Sequence, residues 1–277
     1  MRFILKVAAL FALTMGGLTG QAAAEMGRAE PWQFSVQEAA SPLMENVVSF
    51  HDLLLVIITV ITIFVLALLV WVMIRFNERA NPVASKTSHN TLIEVVWTIV
   101  PVLILLGIAI PSFKLLYQSD DVAEAEMTLK VTGYQWYWGY EYPDHGGFSF
   151  DAIMKTDEEL KDGELRLLTT DNAVVIPVKT QIQVLVTAAD VGHSWALPAN
   201  GTKVDGWPGR VNHLPLYIEE PGTYYGQCSE LCGRNHGFMP IMVKAVTKEE
   251  FAAWVKKAQV QFGAVDTGVR LARATRD

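Results

Sequence analysis

Cysteine is nearly absent: Cys228 and Cys232 are the only two in 277 residues. No Cys-x-x-Cys-His run occurs, so the chain offers no attachment point for a c-type haem. Basic residues are also short, 22 Lys+Arg against 29 Asp+Glu for a formal net charge of −7, which argues against nucleic acid as a partner. Charge of either sign is missing from Leu53–Ile74, 22 residues, and from Val95–Phe113, 19 residues. Neither run carries a polar stripe, so the pair is an anchor or docking surface without a transport path of its own. Between residues 120 and 246 no long amphipathic helix separates the β-rich runs, which leaves an all-β architecture there.

Hydrophobic residues make up 51% of the chain, and the excess lies before residue 117. Arg2 and Lys6, the uncharged run Val7–Leu18 and the small residues Ala22–Ala24 have the layout of a secretory signal peptide, residues 1–24, cleaved near Ala23 or Ala24. As a helix that uncharged run would span only about 18 Å, against roughly 30 Å for a bilayer core. The two later runs are long enough, and they predict transmembrane helices over 53–75 and 92–117. The loop 76–91 and its borders carry Arg75, Arg79 and Lys86 against Glu78, whereas the segment 25–52 sets Arg28 against Glu25, Glu30, Glu38, Glu45 and Asp52. Basic residues mark the cytoplasmic side, so both termini face outward, as export also demands.

The second span opens Thr91-Leu-Ile-Glu94, a capping-box pattern in which Thr91 caps the helix and Glu94 reaches back. A carboxylate at that depth could also admit protons, though spacing alone favours the cap. Pro101 should kink this helix where neighbours cover the freed carbonyl.

From about Asp120 to Val246 the pattern becomes period-2. Strand-like runs are Met127–Val131, Gly133–Tyr142, Leu165–Thr170, Val174–Val178, Ile182–Val186, Leu214–Glu219, Thr223–Gln227 and Ile241–Val246, separated by Gly, Pro, Asn and Asp turns. Eight or so short strands predict an antiparallel sandwich or barrel. Residues 247–277 follow as a helix capped by Thr247 and running to about Ala258, with a loose tail from Asp266. Residues 120–277 hold 22 acidic and 15 basic side chains, a surplus that suits a basic protein partner but is also ordinary for a soluble face.

Both cysteines fall in one stretch, Cys228 to Met239, reading C-S-E-L-C-G-R-N-H-G-F-M. Thiolate, imidazole and thioether are ligands suited to copper. His193, in Val191-Gly-His-Ser-Trp-Ala-Leu-Pro198, is a further imidazole that could reach the same point. If both thiolates bridge two coppers, His193 and His236 supply one strong ligand each and Met239 a weak axial one, with a loop carbonyl on the other ion. A mononuclear blue-copper site would leave one cysteine idle. A Cys2His2 zinc site would make Met239 incidental, and an exported pair could also form a plain disulfide. Soft-ligand logic favours copper. A second cluster, Tyr134-Gln-Trp-Tyr-Trp138 with Tyr140 and Tyr142, predicts a strand placing Trp136, Trp138, Tyr140 and Tyr142 on one face and Tyr137 on the other. Such a strand is either core or, beside a redox metal, a contact surface for electron input.

With these residues in view, the chain resembles subunit II of bacterial cytochrome c oxidases of the aa3 type from about residue 45 to 258. The carrying motifs are Gln135-Trp-Tyr-Trp138, His193-Ser-Trp195, Asp205-Gly-Trp-Pro-Gly-Arg210 and Tyr224-Tyr-Gly-Gln-Cys-Ser-Glu-Leu-Cys-Gly-Arg-Asn-His-Gly-Phe-Met-Pro240, joined to a two-helix hairpin. The resemblance implies a transmembrane hairpin followed by a cupredoxin-like Greek-key sandwich over 120–246. It places the protein in the bacterial inner membrane with its copper domain in the periplasm. It implies the binuclear copper centre CuA, with Cys228 and Cys232 as bridges, His193 and His236 as terminal ligands, Met239 as the weak thioether and Glu230 ligating through its carbonyl. The Glu230 side chain would share a magnesium ion with subunit I. Trp136 would take electrons from cytochrome c, docked by Glu141, Asp151, Asp171 and Asp190. Glu94 would stand at the mouth of a proton path. Electrons would pass to haem in subunit I for reduction of dioxygen to water coupled to proton pumping, within a complex of further oxidase subunits. A nitrous oxide reductase is disfavoured by the hairpin and the lack of a large propeller domain. A quinol oxidase subunit is disfavoured by the full ligand set. A membrane-anchored copper chaperone would explain the ligands but leave the aromatic and acidic positions unexplained.

Overall fold

A computed structural model describes residues 27–83, 85–121 and 124–263. The expected signal peptide and the tail from Asp266 lie outside those residues. Helix α1 spans Pro42–Arg75 and α2 spans Thr91–Asp120, and both have the length and apolar composition of membrane spans. Helix α1 starts well before the expected residue 53. The Ser41 hydroxyl accepts from the Met44 amide at 3.0 Å, and Pro42 follows in the first turn, where a missing N–H is tolerated. Glu45 and Asp52 therefore ride on a helical extension rather than a loop. In α2 the cap is Asn90 and not Thr91: the Asn90 side chain accepts from the Ile93 amide and Glu94 accepts from the Asn90 amide, both at 3.2 Å. Asn and Thr are both favoured at the N-cap, with Asn the better, and the two stand side by side at the helix start.

Ten strands follow among the described residues: β1 (Met127–Tyr134), β2 (Tyr137–Tyr142), β3 (Phe148–Ala152), β4 (Val174–Pro177), β5 (Ile182–Ala188), β6 (His193–Leu197), β7 (Thr202–Gly206), β8 (Asn212–Leu216), β9 (Gly222–Gln227) and β10 (Pro240–Val246). One sheet runs β3-β2-β1-β5-β8, a second β4-β10-β9, and β6 pairs with β7. The sandwich is mixed rather than wholly antiparallel, because β1 pairs parallel with β5 and β4 with β10. Met127, Leu129 and Val131 of β1 and Ile182, Val184 and Val186 of β5 point inward at alternate positions and meet Ile241, Val243 and Trp195 in one core.

The expected strand Gly133–Tyr142 is two strands joined by a turn at Gln135-Trp136. Trp138, Tyr140 and Tyr142 do share one face, and that face is the core; Trp136 lies in the turn and off it. Leu165–Thr170 is not a strand but a turn, fastened by the Thr169 hydroxyl to the Leu165 carbonyl, with only Thr170 bridging to Met154. Strands β3, β6 and β7 fall outside the expected runs. All five residues of β6 are buried, so no polar face alternates with the apolar one. Helix α3, Lys248–Phe262, carries the expected Thr247 capping box and runs one turn past Ala258, with Phe251 and Trp254 against the core.

Backbone contacts tie the head of α1 to the sandwich. Ala40 donates to the Ala199 carbonyl at 2.8 Å and accepts from the Glu219 amide at 3.1 Å, and the Ser41 hydroxyl donates to the Asn200 carbonyl at 2.9 Å. The sheet domain is thus fixed at the helix cap.

Candidate metal centre

Strands β9 and β10 are antiparallel neighbours, with Gln227 opposite Pro240. The loop they close, residues 228–239, contributes both cysteines, His236 and Met239. His193 arrives from the first position of β6. The cysteines are unbonded, with Sγ atoms 3.8 Å apart, both buried. His193 Nδ1 lies 3.9 Å and the Glu230 carbonyl oxygen 3.3 Å from Cys228 Sγ. His236 Nδ1 and Met239 Sδ each lie 3.5 Å from Cys232 Sγ. Two sulfurs therefore stand in the middle, each flanked by one imidazole and one weaker donor. His193, Cys228 and Cys232 have ligand atoms mutually within 4.8 Å.

The loop is held from outside. Gln135 Nε2 and Trp136 Nε1 both donate to the Cys232 carbonyl, at 2.8 and 3.2 Å, and Trp138 Nε1 donates to the Met239 carbonyl at 3.2 Å. The Ser229 amide donates to the Ser194 carbonyl at 3.0 Å, joining the loop to the strand that carries His193. Gly233 turns the loop at φ +116°, a conformation L side chains avoid.

His193 is fully buried, and its Nε2 lies 2.9 Å from Asp190 Oδ1. That bond directs Nδ1 toward the sulfurs. Gly133 leaves the imidazole its room, since a Cβ there would lie 2.7 Å from the ring. Burial alone would raise the Asp190 pKa, but bonds from His193 and the Val191 and Gln135 amides hold it below the usual carboxylate range. For Cys228, burial opposes ionisation, yet hydrogen bonding from His193 and the surrounding backbone brings the thiol down to about 6. Burial and the adjoining Cys228 charge push Cys232 up to about 12. Two thiolates at this spacing repel, so a cation between them is what would let both ionise. This donor set fits soft metal ions.

The other expected site residues are distributed as follows. Trp136 is half-buried against the metal loop, beside a parallel stack of Tyr134 on Tyr137 at 4.7 Å. Glu141 and Asp151 lie on the outward face of β2 and β3, Glu141 paired to Lys130 at 2.7 Å. Asp151 is raised by burial and then by the nearby charge of Asp171, which places those two carboxylates together. Asp171 caps the Ile153 amide at 2.7 Å. Glu94 is far along the chain at the other end of the hairpin, serving its helix cap. From the resemblance alone Asp190 has a docking role only, and neither Gly133 nor Gln135 has a role at the site. An acid three residues before a candidate ligand histidine is the available signal for Asp190.

Comparison with known proteins gives the same answer over both parts of the chain. Residues 127–246 match the family "Cytochrome C oxidase subunit II, periplasmic domain", and residues 29–115 match "Cytochrome C oxidase subunit II, transmembrane domain". A probable cytochrome c oxidase subunit 2 of Rickettsia bellii is 53% identical over 225 residues, covering 81% of this chain and 84% of that one. Cytochrome c oxidase subunit 2 of Zea mays is 48% identical over 233 residues, covering 82% and 90%. Among solved structures, the periplasmic domain of subunit II of cytochrome oxidase from Bradyrhizobium japonicum is 50% identical, covering 51% of this chain and 99% of that one with a TM-score of 0.48.

Proposed function

The chain belongs to the cytochrome c oxidase subunit II family, and on that premise we propose that it takes electrons from cytochrome c at a binuclear copper centre and hands them to subunit I. The observation that carries this reading is the pair of unbonded thiols 3.8 Å apart, each with its own imidazole and its own weak donor. Cys228 and Cys232 would hold two copper ions between them, His193 and the Glu230 carbonyl completing one side and His236 and Met239 the other. Bound there, the pair supplies a one-electron site whose charge is shared over both ions, so that little has to move on oxidation or reduction.

The chain's own work is to keep the donors still. Asp190 fixes the His193 ring, and the Gln135, Trp136 and Trp138 side chains fix the loop carbonyls. Trp136 is our choice for electron input, because its indole donates directly to the Cys232 carbonyl while the side chain is only partly buried. Asp151 and Asp171, with Glu141 and Asp190, would dock the basic donor; the raised pKa of Tyr137, due to burial and then to Asp151, Tyr134 and Asp190, supports an acidic surround for the Trp136 turn. Glu230 is half-buried in the metal loop and would offer its side chain to magnesium at the subunit I contact. Glu94 would open a proton path while serving as cap. The sheet domain would lie in the periplasm after removal of residues 1–24.

Metal analysis and electron paramagnetic resonance of the purified, copper-loaded protein test the central claim. Two coppers per chain and a seven-line hyperfine pattern, from one unpaired electron shared equally by two copper nuclei, are expected. One copper with a four-line pattern would overturn it.

A further inference from the structure

At the sheet-domain side of the hairpin, α1 and α2 part to form a cleft of about 390 Å3. Its walls are Asn46, Ser49, Phe50 and Leu53 on α1 and Pro111, Lys114, Leu115 and Gln118 on α2. Each set has the spacing of a single helical stripe, so the two stripes face each other along the groove. The polarity is graded. Leu53 and Pro111 stand at the membrane end, and Asn46 and Gln118 close the other end through a 3.0 Å hydrogen bond from Asn46 Nδ2 to Gln118 Oε1.

The position of the cleft relative to the bilayer follows from the sequence. Leu53 opens the uncharged run to Ile74, which as a helix is about 33 Å long and matches the hydrocarbon core. Asn46 lies about 10 Å beyond it, one headgroup layer above the hydrocarbon edge. Lys114 sits between these levels, immediately after the uncharged run that ends at Phe113. It is the one basic side chain lining the cleft, and Glu45, Asp52, Asp120 and Asp121 stand outside its walls at the same end of the hairpin. Lys114 is exposed at the rim of the groove, at the level where lipid phosphates lie and attract an interfacial ammonium.

We propose that this cleft binds one diacyl phospholipid, its phosphodiester held by Lys114 with Ser49 and Asn46 beside it and an acyl chain laid along Phe50, Leu53, Pro111 and Leu115. One ammonium and neutral donors suit the single negative charge of a phosphodiester. The apolar lower wall needs a hydrocarbon chain, which a free phosphate lacks. The inference requires a membrane-embedded hairpin and is independent of the copper reading.

The test is native mass spectrometry of the intact purified oxidase complex after detergent exchange, comparing wild type with Lys114→Gln and Lys114→Arg. The wild-type and Arg complexes are expected to retain one phospholipid more per copy of this chain than the Gln complex. Equal retention in all three overturns the proposal. A photoreactive side chain at Ser49 in the complex with native Lys114 gives a second readout that does not depend on the Gln variant assembling. Labelling of lipid supports the site, and labelling of a neighbouring polypeptide instead overturns it.

Discussion

At the scale of the residue, the centre depends on groups that are not ligands. His193 is held on three sides: Asp190 holds Nε2 at 2.9 Å, Trp138 packs edge-on at a centroid distance of 5.8 Å, and Gly133 leaves room that a Cβ would take from the ring. Replacing Asp190 by Ala removes the bond that orients the ring and leaves a buried N–H unpaired. We expect copper affinity, measured by chelator competition, to fall about 10- to 100-fold. Circular dichroism of the sheet domain should stay native, because Asp190 is partly exposed and outside the core. The candidate donors themselves are legible from their types and spacing. Asp190 was read for its charge alone, since what it touches depends on a turn that brings residues 190 and 193 face to face.

At the scale of the element, the β9–β10 hairpin is the frame of the loop, and β6 is the frame of its fifth side chain. The two are pressed together at Gly226, where a Cβ would come into severe overlap with the Ala196 carbonyl oxygen of β6. Gly226→Ala must therefore separate β6 from β9, shifting His193 away from the cysteines. We expect a loss of about 1–3 kcal/mol or more in chemical denaturation, with copper uptake impaired even in the folded fraction. A wild-type denaturation midpoint would show that the strands can part without cost and would sink this account. Legibility at this scale was uneven. Strands β1 and β5, with one face inward, announced themselves by alternation, whereas β6, buried on both faces, did not. The aromatic run looked continuous because Tyr, Trp and Gln are all tolerated in strands; the turn at Gln135-Trp136 is imposed by the loop that both side chains grip.

At the scale of the whole molecule, the Trp136 turn, the outward carboxylates of β2 and β3, and the metal loop belong to one connected surface, while the cap of α1 locks the sandwich to the membrane hairpin. On the proposed reading this arrangement separates metal loading from electron input. Trp136→Ala deletes one of two hydrogen bonds to the Cys232 carbonyl and keeps the other, from Gln135. Copper content should therefore be unchanged in the Ala variant, with electron input from reduced cytochrome c in stopped-flow at least about tenfold slower, a barrier increase near 1.4 kcal/mol. Unchanged kinetics would remove Trp136 from the path.

The sequence by itself determined the membrane hairpin, the all-β domain and the set of candidate metal donors. Charge-free runs, period-2 alternation and ligand chemistry are properties of the residues and survive without coordinates. Only the tertiary structure decided how the donors are shared out. Bringing His193 to within 3.9 Å of Cys228 Sγ, across 35 positions of chain, requires β6 to cross onto the β9–β10 hairpin, and nothing local encodes that contact. The same holds for Lys114, an ordinary lysine at the end of a helix until the facing stripe of α1 makes it the charged wall of a cleft.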